Sequence, residues 1–107
     1  MDEYIVIFCT VPSKDVGNKI GSALVDKKVA ACVNIVPGLT SIYEWKGKVC
    51  NDEECLLIVK SRKALFERIK KEILQLHPYE LPEVISLQIT DGLEPYLGWI
   101  AENTKGI

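Results

Sequence analysis

The stretch from residue 30 to residue 60 constrains the fold of this chain more than any other part. It reads AACVNIVPGLTSIYEWKGKVCNDEECLLIVK, with β-branched and aromatic residues on both sides of Gly47. Such residues suit a pleated, half-buried surface, and a glycine between two such runs indicates a tight reversal. The sequence therefore predicts a long β-hairpin. Because proline cannot donate to a hydrogen-bond ladder, Pro37 and Gly38 should bend its first strand into segments 31–36 and 39–46.

The two faces of this hairpin carry different side chains. Side chains alternate along a strand, so Tyr43 and Trp45 are expected on one face and Ile42, Glu44 and Lys46 on the other. A two-stranded ribbon is not stable alone, and it leaves unpaired backbone groups along its edges. We therefore expect the hairpin to be covered, either by its own domain or by another copy of the chain.

Composition favours one globular domain over residues 1–107. The chain is 48% hydrophobic, with 13 basic and 15 acidic residues and a net charge of −2, and it has no arginine-rich stripe. A nucleic-acid-binding surface is therefore disfavoured. No apolar run is long enough to span a bilayer, and strand-like residues begin by Tyr4, which leaves no room for a signal peptide. The sequence predicts a cytoplasmic protein without a membrane partner.

The four cysteines do not form a recognisable metal or disulfide pattern. Cys9, Cys32, Cys50 and Cys55 include no Cys-x-x-Cys pair, and most of them lie inside apolar runs. A disulfide framework and a structural zinc site are both disfavoured by this spacing. Buried free thiols are the expected state.

The remaining elements follow from hydrophobic periodicity and from helix start and stop signals. Gly17 and Gly21 fall inside the first predicted helix, where either a close backbone approach or an exposed position explains them. Five elements are predicted outside the hairpin: a strand at 4–11 buried on both faces, a helix from the N-cap Ser13 to about residue 28, a helix with an apolar stripe from Leu65 to Leu76 ending before Pro78, a strand at 83–90, and a helix beginning at Pro95.

The order strand, helix, strand, strand, helix, strand, helix predicts an α+β fold. It is the ferredoxin-like βαββαβ sandwich with an antiparallel sheet, a long β-hairpin and an added C-terminal helix. The helices are expected on one face of the sheet. Right-handed crossovers place the first and third strands at the centre, so the kinked strand of the hairpin and the fourth strand become the edges.

Three motifs carry a resemblance to a known family. They are AACVNIVPGLTSIYEWKGK, then HPYELPE, then YLGW near the end, and they occur in the order typical of that family. The chain resembles the CutA divalent-cation tolerance family from Tyr4 to Asn103. The resemblance implies a ferredoxin-like protomer that assembles into a homotrimer through its sheet edges. It also implies a role in tolerance to divalent metal ions, particularly copper, with no generally accepted enzymatic activity.

The same resemblance suggests Cys9 and His77 as metal ligands, with copper as the ion. Thiolate and imidazole both suit copper. The chain departs from some bacterial members of the family because Leu76 stands where a second histidine can occur. The alternative is structural: Cys9 as a small core residue and His77 packed at the end of the second helix. Cys32 is expected in packing, and the acidic segment 51–54 between Cys50 and Cys55 is expected to be a solvated loop rather than a site.

The aromatic residues suggest an interface before a ligand site. Tyr43, Trp45, Tyr79, Tyr96 and Trp99, with Glu80 and Glu83, can line a cleft between protomers, but aromatic residues also predominate in interface cores. No nucleophile with an activating base is evident, because His77 is the only histidine, and there is no glycine-rich phosphate loop.

Two function classes remain open on the sequence. One is a divalent-cation tolerance or binding protein, and the other is a trimeric regulatory or scaffolding module similar to the PII proteins, which binds a small ligand or a partner protein. A small enzyme of the acylphosphatase type is disfavoured, because Val11-Pro12-Ser13-Lys14 stands where an arginine-bearing phosphate cradle is needed. No catalytic residues are therefore predicted.

Overall fold

The computed structural model describes residues 3–106, and it confirms the predicted ferredoxin-like fold. Its single antiparallel sheet has the strand order β2-β3-β1-β4, so the first and third strands are central as predicted. The elements are β1 (Tyr4–Val11), α1 (Lys14–Asp26), β2 (Cys32–Trp45), β3 (Lys48–Arg62), a 3-10 turn (Lys63–Leu65), α2 (Phe66–Leu76), β4 (Ile85–Gln88) and α3 (Glu94–Glu102).

The long hairpin is formed by β2 and β3, and its turn has the expected chemistry. Trp45 pairs with Lys48 across the reversal. Lys46 has φ 52° and Gly47 has φ 81°, which are the two left-handed positions of a type I′ turn. The ladder register shifts by one residue between Val36 and Leu39. The predicted bend at Pro37 and Gly38 is therefore a β-bulge within a continuous strand.

The sheet has one covered and one largely open face. Along β1 the odd-numbered side chains are buried and the even-numbered ones are half-buried, so the prediction of burial on both faces is wrong for the described chain. An antiparallel sheet needs cover on one side only. We call the side of Ile5, Ile7, Cys9 and Val11 the helix face and the opposite side the second face.

The core lies between the helix face and helices α1 and α2. Ile20 and Leu24 of α1 and Ile69 and Ile73 of α2 have no exposed surface. Gly21 allows α1 to approach β2 closely, because a Cβ atom there would lie 3.1 Å from Val33 Cγ1. Of the two explanations for the helix glycines, the structure supports close approach.

Helix α3 departs from the expectation that all helices share one face. Its contacts are with β3, and they involve Lys60 and Arg62, whose side chains belong to the second face. Lys60 Nζ lies 6.0 Å from the centroid of the Tyr96 ring, and Arg62 Nε donates a hydrogen bond of 2.9 Å to Thr104 Oγ1 just beyond the helix. The added helix therefore covers one end of the second face.

Two element boundaries differ from the predictions. Helix α1 ends at Asp26, before the predicted residue 28, because Lys28 adopts a left-handed φ of 60° that cannot continue a helix. Strand β4 spans four residues rather than the predicted 83–90. The ladder with β1 ends at the pair Ile85 and Phe8. Beyond it, the side chain of His77 forms a hydrogen bond with the carbonyl oxygen of Thr10 in β1. No helix within residues 3–106 has the length and apolarity required to cross a membrane.

Candidate functional site

Cys9 lies on the helix face of the central strand, inside the hydrophobic core. Its exposed fraction is 0%. Burial raises the pKa of the thiol from an ordinary value of 9.0 to about 12, with smaller contributions from the negative charges of Glu83 and Glu54. The thiol makes one long contact with the backbone, with Sγ 3.8 Å from the carbonyl oxygen of Thr10. At neutral pH this group is a protonated core side chain.

His77 ends helix α2 and uses both of its ring nitrogens. Its side chain is buried, and Nε2 lies 2.8 Å from the carbonyl oxygen of Thr10. A carbonyl oxygen can only accept, so we assign the ring proton to Nε2. Nδ1 then accepts a hydrogen bond of 3.2 Å from the backbone N–H of Tyr79. The ring therefore fastens the end of α2 to the edge of β1.

The structure brings the two predicted ligands to one place, the Thr10 carbonyl oxygen. As they stand, however, neither is ready to bind a metal: Cys9 is a protonated thiol rather than a thiolate, and both imidazole nitrogens are occupied. Among residues 3–106 no group of three or more His, Cys, Asp or Glu side chains is arranged to hold a metal ion. A metal here would have to displace the His77 hydrogen bond and find further donors elsewhere.

Of the other cysteines, Cys55 shares the buried helix face with Cys9, and Cys32 and Cys50 lie on the hairpin. All four thiols are free, as the sequence predicts. Cys55 is buried and faces Val11 across the β1–β3 ladder, while Cys32 and Cys50 are half-buried on the hairpin strands. The expected solvated loop at 51–54 is wrong, because these residues continue β3.

A second feature lies on the second face of the sheet, where a cleft has a volume of about 620 Å³. The hairpin supplies one wall, and the segment after α2 supplies the other. We call it the aromatic-acid cleft, because its lining includes three aromatic and several acidic side chains: Tyr43, Trp45, Tyr79, Glu54, Glu80 and Glu83. The structure groups these three aromatic residues in a cleft within one protomer, and the predicted cleft between protomers stays a prediction. Tyr96 and Trp99 instead contact each other on α3, with ring centroids 5.5 Å apart.

Glu54 is the innermost acid of the aromatic-acid cleft, and the sequence reasoning missed it. Its exposed fraction is 7%, and Oε2 accepts a 2.5 Å hydrogen bond from the hydroxyl of Tyr79. Its position on β3 could have been inferred, since it shares the even-numbered face with Leu56 and Ile58. No lysine or arginine within residues 3–106 pairs with Glu54 or Glu83.

Three titratable groups of the cleft have raised pKa values, through burial and hydrogen bonds first and through nearby negative charges second. Burial, and then the charge of Glu54, raises the pKa of Glu83 above its ordinary value. Burial and the hydrogen bond to Glu54 raise the pKa of Tyr79. The pKa of Tyr43 rises to about 12, chiefly because its hydroxyl donates to Asp52. Each shift favours the form with the smaller negative charge, so a cation in the cleft would relieve the repulsion.

Comparison with known proteins places the chain in a family. The model of the CutA1 divalent ion tolerance protein family matches residues 5–103. The chain belongs to this family. It is 50% identical to the divalent-cation tolerance protein CutA of Thermus thermophilus, across 97% of this chain and 99% of that protein. A solved structure of the divalent cation tolerance protein from the same organism has a TM-score of 0.91, with the same coverage.

Two further family members are described as coming from different cellular compartments. The chloroplastic CutA protein of Arabidopsis thaliana is 48% identical over 94% of this chain, which spans only 56% of the plant protein. The solved structure of a CutA from Archaeoglobus fulgidus, described as periplasmic, is 35% identical with a TM-score of 0.93, and it covers 95% of this chain and 99% of its own. Family members therefore occur in different compartments. The family description names tolerance to divalent ions and no reaction.

Proposed function

We propose that this protein acts in divalent-cation tolerance as a homotrimer that binds copper and catalyses no reaction. The observation that supports copper is the convergence of Cys9 and His77 on the Thr10 carbonyl oxygen, at 3.8 Å from Sγ and 2.8 Å from Nε2. Sulfur and imidazole nitrogen are donors that copper accepts readily. Bound copper would link the end of α2 to the central strand.

Copper binding at this pair has a definite cost. The thiol must lose its proton although its pKa is about 12, and His77 must release Thr10. Protons therefore compete with the metal, and affinity should fall as pH falls. Because the pair alone is an incomplete set of ligands, further donors must come from water or from another protomer.

The trimer is supported by the apolar surface that one protomer leaves open. On the second face, Ile85 and Leu87 of edge strand β4 are about half exposed, and at the far end of the hairpin Ile42 and Val49 are 69% and 77% exposed. Both edge strands also present backbone groups without a partner strand. A closed ring of head-to-tail contacts covers such edges without forming a fibre. Light scattering should give three times the mass of the chain, and a stable monomer at micromolar concentration would contradict the proposal.

The copper proposal is tested by titrating the reduced protein with Cu(I), Cu(II) and Zn(II) in a calorimeter. Cys9→Ser and His77→Gln should each weaken copper binding, whereas the matched control Cys32→Ser, which removes a thiol from the hairpin, should not. Light scattering on each variant separates loss of metal from loss of assembly. Unchanged copper binding by a trimeric Cys9→Ser protein would overturn the assignment.

Two further proposals follow from the same observations. A regulatory role like that of the PII proteins is the second candidate function, and the aromatic-acid cleft favours it because about 620 Å³ is the volume of a small-molecule site. A nucleotide panel in the same titration distinguishes the two functions.

We also propose a cytoplasmic location, supported by four free thiols, which suit a reducing compartment. Cell fractionation that recovered the protein outside the cytoplasm would contradict it.

A further inference from the structure

The aromatic-acid cleft combines aromatic and acidic walls. Tyr43, Trp45 and Tyr79 provide aromatic faces, and Glu54 and Glu83 provide carboxylates inside the same cavity. Glu54 is nine-tenths buried, and it accepts a hydrogen bond from the neutral hydroxyl of Tyr79 rather than from a cation. A buried carboxylate without a counter-charge is costly, so the cleft is suited to a positively charged occupant.

The chain itself places a cation at the rim of the cleft. Lys46, in the hairpin turn, places its Nζ 5.8 Å from the centroid of the Trp45 ring and 3.7 Å from Glu80 Oε2. Both Trp45 and Glu80 line the cleft. An alkylammonium group therefore already contacts an aromatic wall and a carboxylate at the rim. Because the Lys46 side chain is 73% exposed, a competing cation can displace it at small cost.

We propose that the aromatic-acid cleft binds a small organic ammonium ion, an alkylamine or alkyldiamine, and that Lys46 is its intramolecular competitor at the rim. Aromatic faces attract ammonium groups through the ring quadrupole, and they pack against the attached alkyl carbons. A bare metal ion gains little from aromatic walls, and an anion is repelled by the acids. The ligand is thus distinguished from copper by its chemistry and by its place on the opposite face of the sheet from Cys9.

The direct test follows the fluorescence of Trp45 in a Trp99→Phe protein, in which Trp45 is the only tryptophan. The probes are butylammonium, 1,4-diaminobutane and butan-1-ol, which has a similar alkyl chain without the charge. Both amines should bind saturably, and the diamine should bind about tenfold more tightly, because it carries two charges into a cleft with several carboxylates. Equal response to butan-1-ol, or no saturable response to either amine at millimolar concentration, would overturn the proposal.

Matched substitutions on β3 test the role of the buried acid. Glu54→Gln should weaken amine binding at least about tenfold, because it removes the charge and keeps the shape. Glu53→Gln is the control, since Glu53 is exposed and its side chain points to the helix face. Circular dichroism and light scattering confirm that both variants are folded. A folded Glu54→Gln protein that binds amines like the parent would contradict the assignment.

Substitution of the rim lysine, Lys46, should strengthen amine binding rather than weaken it. Lys46→Gln should bind amines about two- to fivefold more tightly, because the exposed ammonium group no longer competes for Trp45 and Glu80. Lys71→Gln, on the exposed side of α2, makes the same change in net charge and should leave the affinity unchanged. Equal gains in both variants would mean that net charge alone is responsible. Cys9→Ser should bind amines normally, so this proposal can fail independently of copper binding.

Discussion

Replacing Cys9 with alanine is expected to reduce the loss of folding stability as the pH rises above about 8. The folded state holds the thiol proton up to a pKa of about 12, whereas the unfolded chain releases it near the ordinary value of 9.0. The stability associated with this proton is therefore fully present below about pH 9 and is lost as pH rises towards 12. One pKa unit is worth about 1.4 kcal/mol, so the free energy of unfolding should fall by about 1.4 kcal/mol between about pH 8 and pH 10.

The assay is urea unfolding of the parent, Cys9→Ala and Cys50→Ala proteins at these two pH values and at one protein concentration. Cys50→Ala is the control, because it removes a half-buried thiol from the hairpin and leaves the core intact. Cys9→Ala should be less stable than the parent at both pH values, because it leaves a small cavity. Between the two pH values, the free energy of unfolding of Cys9→Ala should fall by about 1.4 kcal/mol less than that of the parent. An equal fall in all three proteins would refute the reasoning.

Two stability predictions test the packing that holds the site. Gly21→Ala should lower the free energy of unfolding by about 1 kcal/mol, because overpacking against Val33 at 3.1 Å outweighs the gain in helix propensity. In a Val33→Ala background the same glycine substitution should cost nothing, and an equal cost in both backgrounds would contradict this. Ser61→Ala should lower the free energy of unfolding by about 1–2 kcal/mol in chemical denaturation, because the buried Val29 carbonyl loses a 2.6 Å hydrogen bond. The control Ser22→Ala, on the exposed side of α1, should leave it unchanged. Similar losses in both serine variants would contradict this.

The fold could be predicted because its local and long-range signals agree. The Lys46-Gly47 turn, the bulge at Pro37 and the apolar runs all indicate one hairpin, and the order of elements leaves few topologies. Burial of β1 was overestimated, because an apolar strand in an antiparallel sheet resembles one covered on both faces. The sequence pattern does not distinguish the strand surface that a helix covers from the strand surface that stays open.

The candidate site was less predictable than the fold. Cys9 and His77 both lie near the Thr10 carbonyl oxygen, but only the structure shows that both imidazole nitrogens are engaged, since this depends on how α2 ends beside Thr10. Glu54 was hidden in an acidic run typical of solvent-exposed segments. Glu54 accepts a hydrogen bond from Tyr79, in the segment after α2, and no local pattern in that segment points at residue 54.

The most direct test of copper binding by Cys9 is a count of the protons released per copper bound. Calorimetric titration of the reduced protein with Cu(I) at about neutral pH, repeated in buffers of different ionisation enthalpy, gives this number. The structure predicts about one proton, because the Cys9 thiol is fully protonated before binding while the ring proton of His77 need only move from one nitrogen to the other. The number should fall to about zero for any weak binding that persists in Cys9→Ser. Stoichiometric copper binding without proton release, or with the same release in Cys9→Ser, would contradict the account.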